Sequence, residues 1–525
     1  MNTSEEINSE QDDVQLYSRA YRRDSEITTR RKATKQTKVP TAHKIFIFFL
    51  SAMVSCLSVA LPLLTDLANS VQSQNLYTGL MLSQGQLPYS DIFATGGFLY
   101  YVLIALSYYF GTAMYLIPIQ IITFYISGIY FYKLVRYFSD NQKVTITFSF
   151  LFFMLNVALG FGGLYPIQFA MPFVLVSLWF LTKYFAGIIK DEAFILYGFA
   201  GAASMLLEPR TLVFWAFSLI AIFVYNLKQK HIARGFYQLL SVIFGMVLVL
   251  YTVGYFVLNL QILSPYISQA IIYQFTYFAV STSNFGLTLL FQLAVVFASG
   301  LLLGALFFFR TVKLSEDKAV KWLIFVVFLG NLLILVLSQD YNLYHLLPVL
   351  PFGLILTALF VNSHYQPSSN TTSHRRKHSQ HGKGAFRLFL GYHLYLPIIV
   401  LFIGIGQPLI QFVLSSSVNQ ERTTLANYLK EQTAGDGKIY VWDDSAKIYL
   451  DSSLGSSSQF PLPVVNTVKK ANMKTLEDEL LQNSASYVVV NSSQDLPAVV
   501  ENDLATNYQI IAIDGVSRFV VYQKN

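Results

Sequence analysis

The chain has 525 residues, of which 54% are hydrophobic and only 12% are charged. Soluble domains carry about a quarter charged residues, so this composition excludes an ordinary soluble protein and indicates an integral membrane protein. The net charge of +7 does not indicate nucleic-acid binding, because the Lys and Arg residues fall between apolar runs, as topology determinants do. A single cysteine, Cys56, excludes a disulfide framework and a thiolate metal site.

Residues 1–42 form a polar segment that turns basic toward the first apolar run. This composition predicts a disordered tail that lies in the cytoplasm. Apolar runs then recur at the length that a bilayer core of about 30 Å requires. Together with the basic loops they predict about eleven transmembrane helices in a multi-pass plasma-membrane protein whose C-terminus is extracytoplasmic. The predicted spans are 45–64, 113–135, 144–160, 166–185, 193–207, 211–226, 236–258, 287–309, 322–337, 346–361 and 388–414.

The segment 65–112 interrupts this series. It begins with Thr65-Asp66 and passes through GQLPYSD (85–91) into the apolar run 98–110. That run has about 13 residues, which is too few to cross a bilayer. Counting it as a span would also place Lys133 and Arg136 on the outer side. We therefore predict a first extracytoplasmic loop, 65–112, that ends in an interfacial helix.

Residues 415–525 differ in character from the membrane domain, 43–414. Four short β-rich runs (KIYVWDD, SYVVVNSS, YQIIAID and RFVVYQK) alternate with helical patterns. Such alternation predicts a small α/β domain. The predicted fold class is therefore a polytopic α-helical membrane protein with a small C-terminal extracytoplasmic α/β domain.

Few charged residues lie at the predicted outer face of the membrane domain, and these are candidates for function because a charge there is costly without a role. Asp66 lies just after the first span, where it either caps a helix or serves as a base. Asp91 follows Pro88-Tyr89-Ser90, so it either closes a turn or contacts an acceptor or a cation. Glu208 and Arg210 either close a turn as an ion pair or supply a guanidinium for phosphate.

Tyr344 and His345 lie in the turn DYNLYHLLPVLP (340–351). They contact phosphate or sugar in one interpretation, and His345 has a structural role at a helix start in the other. No cofactor is predicted, since the sequence has no Walker, Rossmann or zinc signature. A metal, if used, would be a hard cation on carboxylates.

The first loop resembles a known family. GQLPYSD followed by GGFLYYVLIALSYYFG (96–111) resembles the stretch "G-x-x-P-Y-x-D, then G-P-L-x-Y" of the GT-C superfamily, in the bacterial group related to protein mannosyltransferases and aminoarabinose transferases. The turns at 207–210 and 340–351 resemble the family's basic and "Y-x-H-Y" positions. The chain departs from the pattern at Gly97-Phe98, where a proline is common, and at Asp66-Leu67, where Asp-Glu is frequent.

The resemblance implies a glycosyltransferase that uses a polyprenyl-phosphate sugar as donor. It implies an extracytoplasmic acceptor such as a cell-envelope glycan, a teichoic acid or a glycolipid. Asp66 would be the base and Asp91 a second carboxylate. The implied substrate contacts are Tyr89, Glu208, Arg210, Tyr344 and His345.

Two other functions stay open. A ligase or polymerase of lipid-linked glycan or teichoic acid chains would use the same acids with a wider groove and more outer cations. A flippase or transporter of lipid-linked sugars would show charged or broken helices at mid-membrane and two related halves. The sequence shows few mid-span charges and no internal repeat.

Overall fold

The computed structural model describes residues 38–189, 191–276, 285–312, 317–337, 342–365, 384–433 and 437–525. Most of the predicted tail 1–42 and most of the basic loop 374–387 lie outside these residues, as does Asp340. The described helices of the membrane domain, α1 to α18 in chain order, are Thr41–Cys56, Ser70–Ser83, Phe98–Tyr109, Leu116–Ser139, Gln142–Leu159, Pro166–Phe185, Phe194–Leu207, Leu212–Lys228, Ile232–Asn259, Leu263–Tyr266, Tyr273–Thr276, Phe285–Ala298, Leu303–Leu306, Phe308–Val312, Lys318–Leu337, Leu350–Tyr365, Ala385–Tyr392 and Leu396–Leu414.

Seven helical segments in the described part of the chain are long and apolar enough to cross a membrane. This criterion uses length and composition alone, and it does not confirm the predicted count of about eleven spans. The seven segments are Ala113–Ser139, Gln142–Leu159, Pro166–Phe185, Pro209–Lys228, Ile232–Asn259, Lys318–Val336 and Leu396–Leu414.

Helix α16 lies at the centre of the bundle although it has only 16 residues. Every residue from Leu350 to Asn362 is buried. A helix that is apolar on all sides belongs in a core and not at a surface. The tenth predicted span is therefore a central packing element.

Helices α7 and α9 cross at two glycines. A Cβ atom on Gly198 would overlap the carbonyl oxygen of Val242, and one on Gly245 would overlap the carbonyl oxygen of Ile195. Small residues let helix backbones approach closely in membranes, where dispersion contacts hold helices together. The two glycines therefore set the distance between these helices.

Two predicted spans are interrupted. The run 287–309 breaks after Ala298, where Gly300 has a φ of 78°. The run 388–414 breaks at 393–395, where Leu394 and Tyr395 also have positive φ. The two breaks meet, because a Cβ on Gly300 would overlap the ring of Phe389. Hydropathy alone did not predict these breaks, since both runs are apolar overall despite single polar residues such as Ser299 and His393.

The first loop contains a helix, α2, that the sequence analysis did not predict. Asn69 and Gln72 form a reciprocal capping box at its start, in which each side chain bonds the backbone N–H of the other. The helix that was predicted at 98–110 is present as α3, and it packs on α2. A Cβ on Gly79 would overlap the side chain of Ile104 at this contact.

The C-terminal domain contains a four-stranded sheet, and all four predicted strands are present. Helices α19 to α22 of this domain are Ser416–Gln432, Lys447–Ser452, Lys470–Leu480 and Ala498–Asn507. Strands β1 to β4 are Ile439–Trp442, Tyr487–Asn491, Tyr508–Ile511 and Phe519–Lys524. Their order is β1-β2-β4-β3, with β1 and β2 parallel and the other pairs antiparallel.

The C-terminal domain packs directly on the first loop. The backbone N–H of Ala446 donates to the Ser73 hydroxyl (3.2 Å), and that of Ser456 donates to the Tyr77 hydroxyl (2.7 Å). The ring of Tyr77 lies 4.9 Å from that of Tyr449. These contacts explain why the polar helix α2 is buried although it is not part of the bundle core.

Glu421 of α19 fastens the loop before β4. One carboxylate oxygen accepts hydrogen bonds from the backbone N–H groups of Ser517 (3.0 Å) and Arg518 (2.9 Å), and the other accepts one from the Ser517 hydroxyl. Burial acts to raise the pKa of Glu421, but these hydrogen bonds outweigh it and hold the pKa below its ordinary value. The carboxylate therefore stabilises the fold above the unfolded-state pKa, and this stabilisation is lost as the pH falls through the folded-state pKa.

We expect Glu421→Gln to lower the free energy of unfolding at pH 7 by about 1 to 3 kcal/mol. We also expect the variant to lose less further stability than the wild type below pH of about 4.3, where free glutamate becomes protonated. Thermal unfolding of the full chain in detergent between pH 3.5 and 7 measures both effects. Glu431→Gln, an exposed position of the same helix, is the control. If the stability of Glu421→Gln and of the wild type fell equally as the pH is lowered, this account would be contradicted.

Candidate functional site

The first loop, several helix ends and the C-terminal domain enclose two adjoining cavities. We name the smaller the glutamate cavity, because Glu208 lines it, and the larger the aspartate cavity, because Asp66 lines it. Their volumes are about 240 Å³ and about 700 Å³. The residues common to both linings are Tyr165, Asn342 and Tyr344.

Glu208 and Arg210 form a two-pronged ion pair in the glutamate cavity. The Nε and Nη2 atoms of Arg210 each lie 3.0 Å from a carboxylate oxygen of Glu208. Its Nη1 atom lies 3.3 Å from Nδ1 of His345. Pro209 begins a single turn of 3-10 helix between α7 and α8, and this turn brings Glu208 and Arg210 together. The structure thus joins three predicted site residues from two distant segments.

The glutamate cavity also presents a buried hydrogen-bond acceptor for which the described residues supply no donor. Gln74 of α2 is 4% exposed, and its amide nitrogen donates to the carbonyl of Phe93 (3.3 Å), but its Oε1 atom has no hydrogen-bond partner among the residues that the structure describes. A buried acceptor without a donor costs about 1 to 3 kcal/mol. The cavity therefore suits a ligand that donates hydrogen bonds.

Most other polar groups around the glutamate cavity are amides and phenols, which donate and accept hydrogen bonds as sugar hydroxyls require. These residues are Asn75, Tyr101, Tyr273, Gln274, Asn331, Asn342 and Asn466. Sequence reasoning missed Gln74 and these amides, because isolated Asn and Gln residues carry no recognisable spacing.

Two stacked tyrosines stand between the cavities. The rings of Tyr165 and Tyr344 lie 4.8 Å apart and nearly parallel, at 16°. The Asn69 amide donates to the Tyr165 hydroxyl (2.7 Å), which fixes the ring. Tyr344, predicted as a substrate contact, thus lines both cavities.

Asp66 lines the aspartate cavity at the short 3-10 turn Thr65–Leu67. Its Oδ1 atom lies 2.7 Å from Nζ of Lys447, which also contacts Asp451 at 3.2 Å. Burial lowers the pKa of Lys447, but the hydrogen bonds and charges of Asp66 and Asp451 outweigh it, so the net pKa lies above its ordinary value. Lys447 is therefore cationic and orients the Asp66 carboxylate.

A second group of charged residues borders the aspartate cavity at the carboxyl ends of β1 and β2. Arg422 binds both oxygens of the fully buried Asp443 (2.7 and 2.9 Å) and one oxygen of Asp444 (2.6 Å). Asn491, the last residue of β2, donates to Asp443 (2.7 Å). Burial acts to lower the pKa of Arg422, yet Asp443 and Asp444 raise it overall. In the sequence, the signal for this group was the pair of acids, Asp443 and Asp444, that ends the β-rich run KIYVWDD.

Two family models match the chain. Residues 32–416 match the family model of the competence-induced Ccs4 N-terminal domain, and residues 419–525 match that of the Ccs4 C-terminal domain. The chain belongs to the Ccs4 family. No curated protein matches it.

Both Ccs4 domains contribute to both cavities. The N-terminal domain supplies Asp66, Glu208, Arg210 and His345, whereas the C-terminal domain supplies a wall of each cavity. The C-terminal contributions are Val464, Val465, Asn466 and Val468 to the glutamate cavity, and Arg422, Asp444, Ser445, Asn491 and Ser493 to the aspartate cavity.

The structure does not bring Asp91 or Tyr89 to either cavity. Asp91 is exposed and accepts a hydrogen bond from the backbone N–H of Leu87 (2.7 Å), which closes the turn. Tyr89 is buried with a φ of 71°, and its hydroxyl donates to the carbonyl of Gly96 (2.8 Å). Both residues therefore shape the first loop.

No group of three or more His, Cys, Asp or Glu side chains that could hold a metal ion occurs in the described ranges.

Proposed function

We propose that the chain is a membrane glycosyltransferase that moves a sugar from a polyprenyl-phosphate donor to a hydroxyl of an extracytoplasmic cell-envelope acceptor. About eleven spans, a cytoplasmic N-terminus and an extracytoplasmic C-terminal domain belong to this proposal. The observation that carries it is the pair of adjoining cavities. One holds Arg210 beside His345, and the other holds the carboxylate of Asp66.

The glutamate cavity suits the donor. Glu208 holds Arg210 in a fixed orientation, and a guanidinium so held offsets the charge that develops on a leaving phosphate. The amides around it suit the sugar hydroxyls, as does the Oε1 atom of Gln74, which has no donor among the described residues. A leaving group that is a lipid phosphate requires no nucleotide-binding fold.

The aspartate cavity suits the acceptor. Asp66 would take the proton of the acceptor hydroxyl as that oxygen attacks the anomeric carbon. The new bond joins the acceptor oxygen to this carbon, and the bond from the carbon to the phosphate oxygen breaks. The electron pair leaves with the polyprenyl phosphate, and a single displacement of this kind inverts the anomeric centre.

A related candidate is a ligase or polymerase that transfers a lipid-linked glycan or teichoic acid chain. The 700 Å³ volume of the aspartate cavity favours a large acceptor. The chemistry at Asp66 would be the same, so product length distinguishes this candidate from single-sugar transfer.

A flippase or transporter of lipid-linked sugars is the candidate from another class. The interrupted runs at Gly300 and at 393–395 favour it, because broken membrane helices are common at transport sites. If a variant at these breaks lost transport of lipid-linked sugar while Asp66→Asn kept the wild-type glycan, the transporter would be the favoured candidate.

The test is the cell-envelope glycan of strains that carry Asp66→Asn or Asp451→Asn beside a wild-type and a deletion strain. Both carboxylates contact Lys447 and both side chains are 31% exposed, but only Asp66 lines the aspartate cavity. We expect Asp66→Asn to lose the same sugar as the deletion, with transfer reduced at least a hundredfold. Asp451→Asn should keep the wild-type glycan.

Membrane levels of each variant, measured by immunoblot, separate lost chemistry from lost protein. A wild-type glycan in the Asp66→Asn strain would refute the assignment of Asp66 as the base. Equal losses in both variants would mean that the Lys447 ion pairs, and not a base, explain the effect.

A further inference from the structure

We infer that the aspartate cavity binds a lipid acceptor with a neutral, hydroxylated headgroup, which enters from the bilayer along α18. This inference rests on the proposed function, because it takes the aspartate cavity to be the acceptor side. It adds the class of acceptor and the route by which the acceptor arrives.

Helix α18 carries two exposed amides on an otherwise apolar surface. Its exposed residues include Ile398, Phe402 and Ile410, as suits a helix in contact with lipid. Gln407 and Gln411 are also exposed, and neither side chain has a hydrogen-bond partner within the described ranges.

An amide without a partner is costly in hydrocarbon. Residues four apart lie on one helical face, and Gln407, Pro408 and Gln411 all line the aspartate cavity. The two amides thus form a polar track from the membrane helix into the cavity.

The track leads to the carboxyl ends of two parallel strands. Asp444 follows β1, Asn491 ends β2, and both line the cavity with Ser445 and Ser493. Ligands of open α/β sheets bind in the crevice beyond the carboxyl ends of the strands. Carboxylates, amides and hydroxyls are suitable partners for sugar hydroxyls.

The charge of this site disfavours a phosphate headgroup. Two cations, Lys447 and Arg422, are each shared between two carboxylates in the ion pairs around the cavity. The four carboxylates leave net negative charge, which repels an anion at short range. A neutral sugar headgroup has no such penalty.

The experiment measures binding to the full chain in detergent micelles without a donor. The probes are diglucosyl diacylglycerol, phosphatidylglycerol and a soluble glucose disaccharide. We expect diglucosyl diacylglycerol to bind at least tenfold more tightly than the other two. Asp444→Asn should weaken its binding because a carboxylate that accepts from sugar hydroxyls is lost.

The double variant Gln407→Leu/Gln411→Leu tests the route. We expect it to weaken binding of diglucosyl diacylglycerol at least tenfold, whereas Ile410→Leu, on the exposed apolar face of α18, should leave binding unchanged. Equal or tighter binding of phosphatidylglycerol would overturn the headgroup assignment. Equal binding of the soluble disaccharide, or an unaffected double variant, would overturn the bilayer route.

The outcome is independent of the test of the proposed function. If transfer depends on Asp66 but the glycolipid does not bind, this inference fails alone. If the glycolipid binds as expected but no sugar is transferred, the glycosyltransferase proposal fails and the headgroup site remains.

Discussion

Replacing Asp443 with alanine is expected to lower the free energy of unfolding of the C-terminal domain by about 3 to 5 kcal/mol. The Asp443 side chain is fully buried, and it receives two hydrogen bonds from Arg422 and one from Asn491. Its loss leaves the guanidinium, which is only 7% exposed, without its main counter-charge. Hydrogen exchange of the β1 and β2 amides in the full chain measures this change.

Asp444→Ala is the matched control. Asp444 binds the same guanidinium, but its side chain is 59% exposed. Exposed ion pairs contribute about 0 to 1 kcal/mol, so we expect little change in stability. If Asp443→Ala and Asp444→Ala lost similar stability, burial would not explain the contribution of Asp443.

The second large effect is expected at the crossing of α7 and α9. Gly245→Leu should destabilise the membrane domain by about 3 kcal/mol or more, because its side chain must displace the backbone of α7 at Ile195. Thermal unfolding in detergent, with the yield of folded protein, measures the change.

Gly254 provides the comparison within the same helix. An added Cβ there meets no atom within 4 Å. Gly254→Leu should therefore be neutral or stabilising by about 1 kcal/mol, since leucine is the better helix former. A tolerated Gly245→Leu would mean that α7 and α9 do not approach as closely as described.

The sequence predicted helices where an apolar run also carries local boundary signals. The run predicted as a span at 166–185 forms the helix Pro166–Phe185, which begins at a proline and ends after Lys183. The hydropathy pattern did not predict the breaks at Gly300 and 393–395, because each run is apolar overall despite Ser299 and His393. Pro397, just after the second break, was a usable signal, since proline favours a helix start.

The site was predictable only as separate residues. Glu208, Arg210 and His345 were each predicted, but Arg210 and His345 are 135 positions apart, so their contact depends on the tertiary fold. The buried helix α2 was missed because its burial depends on the C-terminal domain. The Asn69–Gln72 spacing, which is typical of a capping box, could nevertheless have predicted the start of this helix from the sequence.

The contacts between α2 and the C-terminal domain constrain the order of assembly during synthesis. The hydrogen-bond partners of Ser73 and Tyr77 lie 373 and 379 residues later in the chain and are synthesised after them. At about 5 to 20 residues per second, this delay is on the order of 20 to 75 seconds. Throughout that time the polar face of α2 stays uncovered and each cavity lacks a wall. The last fifth of the chain is therefore needed to close both cavities. A polypeptide released before it is synthesised can insert its helices but has no closed site.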